Sequence, residues 1–289
     1  TLEAGVRGLE RQIAALCRKT AIRLVESADT EQCVNITAQS LPSLLGVKRY
    51  RHEELEKEPQ VGVCPGLAYT QAGGELLYVE TGIMSGQGHI VTTGSLGDVM
   101  KESAQAALTY VRSHADTLGL DSRFYRKIDI HVHVPDGATP KDGPSAGITI
   151  VTSVTSALLG IPVRNDVCMT GEVSLRGRVL PIGGLREKLF AAKRMGLKKV
   201  VIPKENEKDL KDIPQEILKD LNIVLVDRVD EVLIEALDAP ESVIFSGKAT
   251  AVPLYTMLKK GSKRTSDDGK EQEKDENDID ANGKDSGDS

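Results

Sequence analysis

The hydrophobic periodicity changes character once along the 289 residues, near residue 58, and this change constrains the fold most. Over 4–27 (AGVRGLERQIAALCRKTAIRLVES) the apolar residues Val6, Leu9, Ile13, Leu16, Ile22 and Val25 recur at helical spacing, with Arg and Glu between them. A short helix is predicted over 37–46, with Thr37 as N-cap and Gly46 as stop. The polar stretch KRYRHEELEKEPQ follows and reads as a linker. Beyond it, VGVCPGLAYT, GGELLYVETGIM and GHIVTTG read as strands. Residues 97–118 return to helix, and KIDIHVHVP alternates as a strand. SAGITIVTSVTSALLG reads as an apolar helix stopped by Gly160 and Pro162. VCMTGEVSLRGRVLPIGG reads as two strands around an Arg-Gly turn, and LREKLFAAKRMG as an amphipathic helix. KKVVIP is then a strand, 214–220 a helix, 222–226 a strand and 228–237 a helix. This order is a mixed α+β arrangement, not a regular alternation, and no internal repeat is present.

Composition narrows the class. Aromatics are 3% with no Trp, so aliphatic side chains must fill the core. The net charge is −6, but 265–289 alone holds ten acids and three bases. That tail has one Ile to bury, so it reads as a disordered, solvated extension. The rest is close to neutral, and nucleic acid is not indicated as a partner. No run of 18 apolar residues exists, so no membrane-spanning helix is expected. Cys17, Cys33, Cys64 and Cys168 lack any C-x-x-C pair, which fits a reducing compartment without a disulfide framework or structural zinc. A chain starting at Thr1 reads as a fragment or processed product.

Ser145 lies in GPSAG, between a strand-loop and a helix. At a helix start the free N–H groups and the dipole favour a developing oxyanion. A plain N-cap explains the same serine. None of His52, His89, His114, His131 and His133 follows Ser145, so the α/β-hydrolase order is excluded. His131 or His133 with Asp136 would form a triad only in another order. The same two histidines share one strand face, where a metal is a weaker reading than packing. Cys64 and Cys168 read as inert thiols.

If Ser145 is a nucleophile, its base is therefore sought among lysines and carboxylates. On a wheel at about 100° per residue, Lys188 falls between Met195 and Ala192. It is the one charged residue on the arc of Leu185 and Leu189. Snorkelling would account for it. A desolvated lysine, however, loses basicity and can take a proton from a serine hydroxyl.

HVHVP, PKDGPSAG, and MTGEVSLRGRVLPIGGLREK with its Lys188 resemble the proteolytic domain of Lon, the ATP-dependent serine protease family. The resemblance covers about residues 1–240. It implies a Ser–Lys dyad, with Ser145 as nucleophile and Lys188 as general base. It implies that Thr170 orients the lysine and that Asp142 modulates the site. It also implies a mixed α+β fold like the second domain of ribosomal protein S5, preceded by a short helical segment. AGVRGLERQIAALCRK is similar to the end of the ATPase helical subdomain, where Arg7 would be a sensor-2 arginine touching ATP. The division implied is 1–58 for that remnant and linker, 59–240 for the proteolytic domain, and 241–289 for a C-terminal extension. No G-x-x-x-x-G-K-[ST] loop occurs, so ATP with magnesium belongs to the longer protein and the proteolytic domain needs no cofactor. Expected partners are unfolded or damaged protein substrates and a homohexameric ring. The expected location is a bacterial cytoplasm rather than a mitochondrial matrix. Two other classes remain open: a small-molecule kinase of S5-like architecture, and a non-catalytic assembly module.

Overall fold

The computed structural model describes residues 3, 5–26, 33–47, 58–70, 73–135 and 137–247. The acidic tail, His52 and Asp136 lie outside the described residues. Helix α1 (Arg7–Glu26) follows the helical period, and the Glu3 carboxylate accepts from Gly8 and Leu9 N–H at its start. Its apolar stripe is not covered among the described residues: Val6, Ile13 and Val25 are exposed. Helix α2 (Leu41–Leu45) is shorter than predicted. Pro42 lacks an N–H and so belongs in a first turn. The helix therefore starts after Ser40, and Thr37 only opens the preceding turn, where its N–H donates to Ser40 Oγ.

From residue 58 the chain builds one seven-stranded mixed sheet. β1 (Val63–Thr70) and β2 (Gly73–Ser85) form an antiparallel hairpin, from Val63 opposite Glu80 to Thr70 opposite Gly73. β3 (Ile90–Thr93) lies at one edge, parallel to β4 (Ile128–His133), which pairs antiparallel with β2. On the other side of β1 come β5 (Val167–Met169), β8 (Lys199–Pro203) and β9 (Asn222–Val226), all parallel. The sheet order is β3-β4-β2-β1-β5-β8-β9. β6 (Glu172–Val173) and β7 (Val179–Leu180) make a separate ribbon.

Alternation along the strands divides the core between the two faces. Val201 joins the larger cluster with Met100 of α3 (Asp98–Ser113), Ile148 of α4 (Gly147–Leu159) and Val232 of α7 (Val229–Ala236). Val200 and Ile202 join the smaller one, with Leu185 and Leu189 of α5 (Leu185–Arg194). The short helices α6 (Gln215–Leu218) and α8 (Glu241–Ile244) complete the described chain.

Every residue of α4 is buried. Its hydroxyls offset much of that cost by bonding the backbone. Ser153 donates to Gly62 and Val79 carbonyls, and Gly62 N–H donates to Ser156 Oγ. The helix stops at Gly160 in the left-handed region, as its position before Pro162 predicts.

Candidate active site

Ser145 lies in a 3-10 turn, Pro144–Ala146, that leads directly into α4. Gly143 enters the turn at φ 136, a conformation that only glycine adopts cheaply. The half-buried serine is fixed through its carbonyl, which accepts from Gly171 N–H at 2.9 Å and from Thr170 Oγ1 at 3.3 Å. In return, Ile148 N–H donates to the Gly171 carbonyl at 3.1 Å. The predicted strand pair over 167–184 is thus three pieces. β5 ends after Met169: Thr170 N–H makes the last ladder bond, to Val201 of β8, and Gly171 N–H turns to the serine loop.

Lys188 projects from the first turns of α5 into the protein and is 2% exposed, so it does not snorkel from its place on the apolar arc. Its ammonium donates to Thr170 Oγ1 at 2.9 Å. Burial brings its pKa down from 10.5 to about 8. Near neutral pH the lysine is still mostly charged, but its neutral fraction is far above that of an ordinary lysine. Among the described residues, no hydrogen bond joins Lys188 Nζ directly to Ser145 Oγ. The buried Thr170 hydroxyl connects them, accepting from the lysine and donating to the serine carbonyl.

Asp142 sits on the groove wall with its carboxylate turned to backbone. Its Oδ1 accepts from Met100 N–H and Gly143 N–H, each at 3.0 Å. Met100 is in the first turn of α3, so Asp142 caps that helix in place of Gly97, which has no side chain to offer. Ser103 Oγ adds a bond to the Pro144 carbonyl at 3.3 Å. Sequence reasoning missed Asn206. Buried at 1% exposure, it accepts from Ile182 N–H and donates to Ile182 C=O, pinning the Pro-Ile-Gly-Gly segment before α5. Its signal in the sequence is only one Asn in a charged run.

Leu67, Tyr69, Asp142, Ser145, Ile182 and Lys188 line one open groove of about 2120 Å³. The same groove runs on along the N-terminal helices, where Gly8, Arg11, Leu41 and Leu45 line it. The other sequence candidates are not in it. Arg7 is an exposed residue opening α1. His131 Nε2 and His133 Nδ1 both bond Thr93 Oγ1, at 2.8 and 2.7 Å, so they serve as hydrogen-bonding side chains on the sheet. Among the described residues, no group of three His, Cys, Asp or Glu could hold a metal. Cys64 and Cys168 are fully buried, and burial pushes both thiols well above their ordinary range.

The family profile for the Lon protease (S16) C-terminal proteolytic domain matches residues 35–239, and that for the Lon protease AAA+ ATPase lid domain matches 1–33. The Lon protease of Nitratidesulfovibrio vulgaris is 63% identical over 260 residues, 90% of this chain and 32% of that protein. Lon protease from Syntrophomonas wolfei is 55% identical over 237 residues, covering 82% and 29%. That from Bacillus thuringiensis is 55% identical over 237 residues, covering 82% and 30%. The chain spans about a third of the length of these curated relatives. It belongs to the Lon protease family, whose serine-protease domain, a hydrolase, it carries behind the family's AAA+ lid.

Proposed function

We propose that this chain is the proteolytic part of an ATP-dependent serine endopeptidase working through a Ser145–Lys188 dyad. The observation that carries the reading is a buried lysine, its pKa lowered to about 8, hydrogen-bonded to a threonine that itself holds the Ser145 backbone. Neutral Lys188 takes the Ser145 hydroxyl proton, and the oxygen attacks a peptide carbonyl. Backbone N–H groups at the start of α4 stabilise the oxyanion. Lys188, now charged, gives its proton to the leaving amine. Water then hydrolyses the acyl-enzyme by the same route. Thr170 orients the lysine, and Asp142 holds the serine loop against α3.

Substrate binds extended. β1 pairs with β5 at Gly66 opposite Met169, and beyond it residues 67–69 have no strand on that side among the described residues. That edge borders the groove and suits an added strand. The substrates are unfolded, damaged and short-lived regulatory proteins, fed by a homohexameric ring in a bacterial cytoplasm. Among the described residues no helix is long and apolar enough to cross a membrane.

ATP with magnesium acts in the longer protein. One exposed arginine, Arg7, does not make a phosphate site, so the nucleotide is held mainly by residues outside this chain and enters no step above. A kinase would keep a lysine charged for its phosphates, and burial of Lys188 opposes that. Labelling by an active-site serine reagent in the assembled ring, located by mass spectrometry, tests the reading. Modification confined to Ser145 supports it, and its absence from an assembled ring refutes it.

A further inference from the structure

A general base must be held where its proton transfer is productive, and a misplacement of about 1 Å can cost ~10²-fold in rate. Lys188 rides on a ten-residue helix, so its place depends on what holds α5. Hydrophobic burial of Leu185, Leu189 and Ala192 fixes one face of that helix. That sets the rotation of α5 but does little to stop it sliding along its own axis or lifting at its ends.

Tyr69 of β1 and Gly74 of β2 meet α5 at three points. At the start, Gly184 sits at φ 67, and a Cβ there would meet the Tyr69 ring at 3.1 Å. In the first turn, Gly74 lies against the backbone of the base itself. A Cβ on Gly74 would overlap the Glu187 carbonyl and come within 3.0 Å of the Lys188 backbone nitrogen. At the far end, Arg194 donates to the Gly74 carbonyl at 2.8 Å. Gly74 thus touches both the turn that carries Lys188 and the residue that ends the helix. Its own φ is not in the left-handed region, so backbone freedom does not require glycine there. The close approach of α5 does.

We propose that Gly74 is a positioning residue for Lys188, and that its bond from Arg194 completes a latch setting where α5 presents the base to Ser145. This rests on the reading of Lys188 as general base. Any side chain at 74 must push the first turn of α5 away from the hairpin. Lys188 then withdraws from Thr170 and gains access to water, and its pKa climbs from about 8 back toward 10.5.

The experiment compares Gly74→Ala, Arg194→Gln, Arg194→Lys and Lys188→Met in the full-length protein. It measures kcat and KM for a short peptide across pH, with thermal unfolding alongside. Gly74→Ala should lower kcat at least tenfold at pH 7.5 with little change in KM. The acidic limb of its pH profile should move up by about one unit. Arg194 is exposed, so Arg194→Gln carries no folding risk. It should move the same limb in the same direction by less, and Arg194→Lys, still a donor, should restore it. A pH midpoint unchanged in folded Gly74→Ala overturns the latch. If Gly74→Ala does not fold, an unchanged midpoint in Arg194→Gln overturns it instead. Lys188→Met separates the two readings. If it is inactive while the midpoints stay fixed, only the latch fails. If it remains active, the base assignment fails.

Discussion

Lys188 donates a hydrogen bond of 2.9 Å to Thr170, a threonine with no solvent exposure. The same hydroxyl donates to the Ser145 carbonyl at 3.3 Å. Thr170→Val keeps the shape and removes both bonds. We expect kcat for a short peptide to fall by about 10–100-fold, because the lysine is no longer oriented. KM should hold. The ammonium form also loses its acceptor, so the acidic limb of the pH profile should shift below about 8. Thr170→Ser retains the hydroxyl and should keep activity within a few-fold. Steady-state kinetics of the two variants, side by side, decide the matter. Equal loss in both would point to packing rather than to the hydroxyl.

The lysine also predicts a pH-dependent stability. Its folded pKa of about 8 lies below the ordinary 10.5, so the unfolded chain binds more protons between those values. Stability therefore rises with pH across that window, and below pH 8 the full penalty applies. A shift of this size corresponds to roughly 3 kcal/mol. Lys188→Met should then be more stable than the parent at pH 7, by up to that amount. The gain should fade between pH 8 and 10.5. Denaturant titrations at pH 7 and pH 10 measure it, and an identical difference at both would contradict the buried-base picture. Lys188→Arg should be inactive at every pH, since guanidinium stays protonated.

Ser145→Ala should abolish peptide hydrolysis, by a factor of at least ~10³. The fold should be untouched. Ser145 is tied to Gly171 and Thr170 through its backbone carbonyl, which alanine keeps. A thermal melt within about two degrees of the parent is the expected companion result for a half-buried hydroxyl lost without a buried partner. Retained hydrolysis in a well-folded sample would end the nucleophile assignment.

The sequence reading succeeded where one element carried the information. Lys188 is the only charge on the apolar arc of α5, so a wheel singles it out, and it is buried. The Gly160 stop and the Ile128–Val134 alternation are likewise local. Reading failed where a partner is distant. Asn206 pins Ile182 across 24 residues, and Thr170 meets Lys188 across 18, a pair that the resemblance implied and that spacing and periodicity alone do not reveal. The stretch 167–180 alternates like two strands, yet Gly171 N–H leaves the sheet for the Ser145 carbonyl, and β6 and β7 beyond it form a ribbon apart from β5. The 3-10 helix Lys204–Asp212 is nearly all charged and polar, with Leu210 its one apolar residue, so no period marks it. Arg7 and the helix it opens show the opposite limit. The pattern predicts α1 correctly but cannot say what covers its stripe.

Asp142 separates a structural role from an electrostatic one. Its carboxylate accepts from Met100 N–H at 3.0 Å, reaching across 42 residues to cap α3. It also accepts from Gly143 N–H, two residues before Ser145. Asp142→Ala leaves the first turn of α3 without that acceptor and should cost about 1 kcal/mol, the usual loss for a missing cap. The serine loop should loosen with it, lowering kcat. Asp142→Asn keeps an acceptor oxygen in the same place and removes only the charge. If the cap is what matters, Asp142→Asn unfolds at the parent's midpoint and hydrolyses peptide within about threefold of it, since asparagine caps as well as aspartate. If the charge acts on Lys188, the Asn variant keeps the parent's stability but shifts the acidic limb of the pH profile. Charge placed near a titrating lysine changes its pKa whether or not the helix is capped. The bonds to Met100 and Gly143 favour the first outcome, because they turn the carboxylate toward backbone.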